Sequence, residues 1–469
     1  MSRIVAVMIA GGLAISVASG APPAPAKRCL LRLIKADRDL VRNPMFNNDV
    51  NVNYDVAGHV HLRCENQNVF LDADSVSVKS EDDARMYGHV VYRDSAYRFA
   101  ADTMFYLLRT EKLHAGGHVD VLDKAAGSTL KGPYVDYYRQ VKGVNDSARV
   151  DAFQRPTVRY FTKPAVGDTA PGVPYILTAT RLRGFGQSRL SADSAVTLDR
   201  DSLHTMSDSL QLDRGKTTVV LLTGKPATVR RAGIDSFAVA GHEVRFQLAD
   251  DKLRELRAFV EAKVVRGTTV VTGDTVLMTF AAEKLSLTLA WNRKTGATIV
   301  SEGYDVRGDS LAIETPAELL REIRVFHRGR ITNPPDTTVR AAPRFPGDTI
   351  APDSTRNFLT GDRLNARFGQ IDSAGTIVTR LSALEAFGKP PLQAQSYYSR
   401  MVAAKDGRIS PSINYTKADT ILMRMKGGDS SGVAAVQAYG HVDGVQLETA
   451  SAPKAKVDSV KPQPPKGRP

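Results

Sequence analysis

"FAADTMFYLLRTEKLHAGGHV", residues 99–119, decides the fold, because both of its ends recur along the chain. It opens on Ala101-Asp102-Thr103 and closes on Gly117-His118-Val119. The opening returns at Asp74, Asp193, Asp208, Asp235, Asp274, Asp309 and Asp419, each followed by Ser or Thr, and more loosely at Asp362. The closing returns at Gly88-His89-Val90 and Gly440-His441-Val442. A phrase repeated this often marks a structural unit rather than an active site, and repeats must be settled before the fold is read.

Aligned on the Asp, the copies share a period of two. The second and fourth residues past it are apolar: Val76 and Val78, Met104 and Tyr106, Leu210 and Leu212, Phe237 and Val239, Val276 and Met278, Leu311 and Ile313, Leu364 and Ala366, Ile421 and Met423. The copy at Asp193 runs one residue late, at Val196 and Leu198. Such alternation predicts strands with one buried face. "KLSLTLAWN" (284–292) follows it too, with Leu285, Leu287, Leu289 and Trp291 on one side. The Asp and its Ser or Thr neighbour suit the start of a strand, where short polar side chains bond to nearby backbone and hold a turn. The other reading, a set of cation ligands, lacks the dense acidic spacing of a calcium loop. The Gly before His-Val suits a bend or bulge.

Helical signals are few. Residues 250–265 place Leu253, Leu256, Phe259 and Val260 at helical spacing, and residues 315–329 begin with Thr315 as a cap and Pro316 behind it. Repeats flank both segments, so strands with long connections are the expected outcome. Breaks fall at 162–174, rich in Pro and Gly, and at 333–355, which holds five Pro and almost no alternation. The tail 451–469 carries five basic residues, one acid and little to bury, and is expected to be disordered.

The 469 residues suffice for two or three domains. Arg3, the apolar run 4–17 and Ala18-Ser19-Gly20 read as an export signal, with an uncleaved anchor as the alternative. That run is shorter than the roughly 20 residues that span a bilayer. Cys29 and Cys64 are the only cysteines, so they either form a single disulfide, as an oxidising compartment allows, or stay as two thiols. Arg28 stands where a lipoprotein signal needs a small residue. The charge of +13, from 63 basic and 50 acidic residues, favours anionic partners in an exported protein, or else merely solubilises a β protein. No nucleic-acid-binding fingerprint is present.

Catalytic signals fail on inspection. "TGKPAT" (223–228) lacks the glycine and hydroxyl positions of a phosphate loop, and "GFGQSR" (184–189) ends in Arg where a dinucleotide fingerprint needs Gly. There is no HExxH, GxSxG or CxxC. His59 and His61 lack a partner ligand at metal spacing. His89, His118 and His441 occupy equivalent repeat positions, which argues for a shared turn role. Arg307-Gly308-Asp309 sits on a repeat anchor. Carboxylate pairs for glycoside chemistry could arise in any β repeat, but nothing selects one.

Residues 86–123 resemble the OstA-like, LptA-type domain of lipopolysaccharide-transport proteins, also described as organic solvent tolerance-like. The residues that match are Gly88, Val90, Ala101, Asp102, Leu113, Ala115, Gly117 and Val119, and 418–425 with 436–448 repeat the two halves. The likeness is good over 58–138, loose over 190–315 and intermediate over 360–448. It implies an all-β fold, a β-taco or jelly roll whose two layers form an elongated open trough for lipid acyl chains. The chain is longer than one such module and lacks the alternating outward apolar bands of a membrane barrel. The expected division is a signal peptide at 1–20, OstA-like domains at 27–165 and 175–330, a Pro-rich linker or loop at 331–356, a third module at 357–450 and the tail.

The resemblance implies a periplasmic, non-enzymatic carrier of lipopolysaccharide or a similar anionic glycolipid. The trough would be lined by Val76, Val78, Met104, Tyr106, Leu210, Leu212, Phe237, Val239, Val276, Met278, Leu311, Ile313, Leu364, Ile421 and Met423. Burying acyl surface there is worth about 25 cal/mol per Å². Asp74, Asp102, Asp193, Asp208, Asp235, Asp274, Asp309, Asp362 and Asp419 would be turn anchors. Other OstA-like proteins of the inner and outer membranes would join by strand addition. No cofactor, metal or nucleic acid is expected. Two alternatives remain: a structural or adhesive β-solenoid with a closed core, and a glycan-processing β-helix.

Overall fold

Antiparallel strands form nearly all of the described residues in a computed structural model. It describes residues 29–38, 41–42, 53–65, 67–79, 83–161, 173–185, 189–214, 218–233, 235–249, 252–301, 304–332, 356–373, 376–403, 409–425 and 433–447. The expected signal (1–20), most of the break at 162–174, the stretch 333–355 and the tail 451–469 lie outside the described residues. Among those described, one 3-10 turn at Pro316–Glu318 is the only helical element. Both ambiguous segments are strands in the main, Lys252–Arg266 and Glu322–Thr332. Residues flanked by β ladders on both sides gain more from backbone pairing than from a local helix.

Most of the long strands bend near their middle. In Asp83–Arg93, Ala84 and Met86 are buried before the bend, and Val90 and Tyr92 after it. Pairing with Tyr97–Leu107 shifts register between Tyr87 and Val90, and the next ladder shifts between Ala100 and Thr103. Equivalent shifts follow at Asp193/Val196, Met206/Ser209, Thr223/Ala227, Ala240/Glu243, Phe259/Ala262 and Phe326/Gly329. A bulge bends a strand and steepens its twist. Bulges aligned on adjacent strands crease the sheet, so within each unit its apolar face closes on itself as two layers. Ring contacts record the closure: Phe99 meets Tyr137 at 5.0 Å and Phe237 meets Phe280 at 5.8 Å.

The chain forms two compact units. The first comprises Met1–Lys124 with Pro133–Asp151, the second Ala125–Gly132 with Ala152–Pro469. In the second, Glu322–Thr332 pairs with Phe358–Ser373 from Thr332↔Phe358 onward, so one ladder joins the strands on either side of 333–355.

Two details of the sequence reading change. The Asp-Ser and Asp-Thr phrases do not generally start strands: Asp74, Asp102, Asp208, Asp274 and Asp362 lie inside strands, at the crease. The run Lys284–Trp291 does not keep one face either. Leu285 is buried, but a bulge opposite Thr279/Phe280 shifts the phase, so that Thr288 and Ala290 are buried while Trp291 is exposed. A one-residue shift exchanges the two faces of a strand.

Candidate functional site

The crease is built from the recurring phrases. Gly88, Gly117 and Gly440 have φ of +73°, +93° and +81°, a backbone region that costs glycine little. A Cβ on any of them would collide with the carboxylate of Asp74, Asp102 or Asp419 respectively. Those carboxylates dock instead on the residue that follows. Asp102 accepts from the His118 backbone N–H at 3.1 Å and lies 2.8 Å from its Nδ1; Asp419 repeats both contacts with His441 at 3.2 and 2.9 Å. Asp74 meets His89 Nδ1 at 2.9 Å. Asp37, outside the recognised set, does the same for His59 behind Gly58.

These bonds shift the titration of their partners. The His118 side chain, then its backbone N–H, holds Asp102 below the usual carboxylate value, and His441 does the same to Asp419. The hydrogen bond to Asp74 raises His89.

The other anchors vary. Asp362 faces His327 at 3.2 Å, and Asp309 accepts from Arg328 Nε at 2.7 Å, so the Arg307-Gly308-Asp309 tripeptide is part of the crease. Asp208 and Asp274 lie at the crease within Leu203–Arg214 and Thr269–Ala281. Asp193 precedes Ser194 and Ala195, at φ of 65° and 51°, and this left-handed pair explains why its copy runs one residue late. Asp235 is elsewhere, in the turn between Thr218–Arg231 and Phe237–Ala249, beside Glu318. Burial, then the Asp235 carboxyl, raises Glu318. His59 and His61 each face a carboxylate, of Asp37 and Asp72. Among the described residues no group of three or more His, Cys, Asp or Glu could hold a metal.

Every side chain expected to line the trough, from Val76 to Met423, is buried. In the second unit the enclosed face is largely aliphatic, with Leu210, Leu222, Val229, Val244 and Ala258 all at 0% exposure, and Phe237, Phe246 and Phe280 are buried among them. Its free edges meet through Phe237 and Phe280, Arg231 donating to the Glu283 carbonyl at 2.8 Å, and Arg266 beside Glu318 at 3.8 Å. The enclosed face comes into the open at the last rung. Val436 pairs with buried Met423, on the same face, and is 42% exposed. A cavity of ≈ 440 Å³ lies among Arg189, Ser191, Gln211, Leu221 and Arg245.

The first unit has a different interior. Tyr92 packs edge-on against Phe99, Tyr106 and Tyr137 at 5.7–6.2 Å. Two carboxylates are buried with these rings. Asp94, in the turn after Asp83–Arg93, accepts from the Tyr92 and Tyr137 hydroxyls at 2.9 Å and from the Ala96 and Tyr97 N–H groups at 2.8 and 2.7 Å. Glu111, at the opposite free edge, accepts from the Cys29 N–H at 3.0 Å, from Arg139 at 2.7 Å and from the Tyr106 hydroxyl. Arg139 also reaches Gln67, across the opening between the edges. Cys29 is disulfide-bonded to Cys64, with Cα atoms 5.0 Å apart. Burial pushes the Tyr92, Tyr106 and Tyr137 hydroxyls up, and Tyr97 to about 12. Of this cluster the sequence singled out only Tyr106, as a trough residue, and the Cys29–Cys64 pair, as a possible disulfide. Asp94-Ser95 carried a signal, another Asp-Ser pair closing a strand; Glu111 and Arg139 carried none.

No protein-family model and no curated protein matches the chain. Among solved structures it is similar to LptH, the LptA-homologous periplasmic component of the conserved lipopolysaccharide transport device from Pseudomonas aeruginosa. Identity is 16%, over 24% of this chain and 84% of that one, with a TM-score of 0.21. A likeness of that extent carries no functional argument.

Proposed function

We propose that the chain is a non-enzymatic periplasmic carrier that shields acyl chains of lipopolysaccharide, or a similar anionic glycolipid, between the layers of its creased sheet. One observation carries this reading: in the second unit an apolar, largely aliphatic face is enclosed along successive rungs and emerges into solvent at Val436. Replacing one apolar neighbour with an alkyl chain keeps apolar surface out of water at about 25 cal/mol per Å². Arg189 and Arg245 at the ≈ 440 Å³ cavity, which Asp213 and Glu243 also line, offer donors for the hydroxyl and phosphate groups of a sugar head. The edges of Val433–Tyr439 and Asp443–Leu447 suit strand addition by OstA-like partners.

A second reading is favoured by a different observation. All the lining positions are buried and Phe237 touches Phe280, as in a structural solenoid whose faces are a permanent core. A photo-crosslinking residue in place of Phe237 or Met423 separates the two. The carrier gives glycolipid adducts in cells at both positions; the solenoid gives none and loses stability at both.

A further inference from the structure

The interiors of the two units differ in one respect: buried carboxylates, Asp94 and Glu111, lie among the rings of the first, and among the described residues of the second no charged side chain is buried. Resting on the carrier reading, we infer that acyl chains occupy only the second unit and that the first is a sealed unit that takes no cargo.

Three features of the first unit exclude an alkyl chain. Its enclosed space is filled by rings: Tyr92, Phe99 and Tyr106 are at 0% exposure and Tyr137 at 2%. Those rings hold charge in place. Asp94 and Glu111 are 6% and 0% exposed, and both accept from tyrosine hydroxyls. A chain sliding between the layers would separate Tyr137 from Asp94 and Tyr106 from Glu111, leaving buried carboxylates short of donors in an apolar surround. The opening is also shut. Glu111 binds the Cys29 N–H, Cys29 is bonded to Cys64, and Arg139 ties Glu111 to Gln67. Parting these edges breaks a charge-assisted network and pulls against a covalent link.

Among its described residues the second unit has no buried carboxylate and no disulfide, and its enclosed Phe237, Phe246 and Phe280 carry no hydroxyl that could hold a charge. Among those residues no charged side chain is buried; the buried polar ones are Thr205, Ser207, Thr275, Thr288, Thr315 and Ser396, besides the tyrosines Tyr160, Tyr175 and Tyr397. Its edges meet through an apolar ring pair and polar contacts at the surface, which water can replace. Val76, Val78, Met104 and Tyr106, placed in the trough by their sequence pattern, belong to the sealed unit.

The test uses the full, unsubstituted chain and lipid A carrying a diazirine at an acyl terminus. After illumination, adducts are mapped by peptide mass spectrometry. Labelling within 189–447 and none at Met86, Tyr92, Met104 or Tyr106 is the expected result. Labelling at any of those four overturns the inference and leaves the carrier reading standing. A chain that labels nowhere removes the carrier reading, and this inference falls with it.

Discussion

Gly117 shows how much a single position decides. Its φ of +93° and the docked Asp102 carboxylate leave no room for a side chain. Gly117→Ala should lower stability by about 1–3 kcal/mol in urea unfolding. Combined with Asp102→Ala it should cost less than the two single losses added, because the colliding partner is gone. The crease also sets a pH response. Asp102 and Asp419 are lowered from 3.8, so their contribution is present above that value and fades as pH falls through the lowered ones. His89 is raised from 6.5, so its contribution is complete below that value and is lost as pH rises through the raised one. The thermal midpoint should therefore fall less between about pH 5 and about pH 8 in His89→Gln than in the parent chain. An equal fall in both would remove His89 from the account. The Gly-His and Asp-Ser/Thr phrases were both plain in the sequence. Their docking was not, because each pair joins neighbouring strands 15 or more residues apart.

Strands were the most legible elements, since a period of two survives wherever one face is enclosed. Their phase was less legible. The bulge that puts Trp291 outside is set by the partner strand and leaves no mark in "KLSLTLAWN". The crease was hidden for the same reason: a bulge within a continuous strand and a turn between two strands draw on the same Gly, Asp and Ser. Removing the Cys29–Cys64 bond, which closes a sequence separation of 35, should cost about 3–4 kcal/mol on the chain-entropy model. The loss should concentrate in the first unit, read as faster amide exchange at Cys64 and Glu111. In the second unit, Leu222→Ala at full burial should cost about 2–5 kcal/mol in denaturant unfolding. A much smaller loss would mean that the layers separate there at little cost.

Across the whole molecule, the enclosed apolar surface could be read from the sequence, but its division into an aliphatic interior and an aromatic, charged one could not. Asp94, Glu111 and Arg139 sit in or beside turns, where charged residues are ordinary, and only the closure of the two edges buries them. The edge of the second unit carries its own titrating contact. Glu318, raised from 4.5, faces Asp235, Arg266 and Lys284, so protonation relieves its repulsion from Asp235. Its contribution to closure is greatest below the ordinary value and is lost as pH rises through the raised one. Glu318→Gln should therefore hold the edge closed at neutral pH, seen as slower amide exchange at Phe237 and Phe280. The most direct test of the carrier reading is native mass spectrometry of the chain gently extracted from the envelope that makes it. Glycolipid bound at a fixed stoichiometry, and lost when a charged residue replaces Phe246, is the expected result. A chain that emerges at its bare mass of 50.9 kDa, less any cleaved leader, under conditions that keep known lipid carriers loaded, would contradict it.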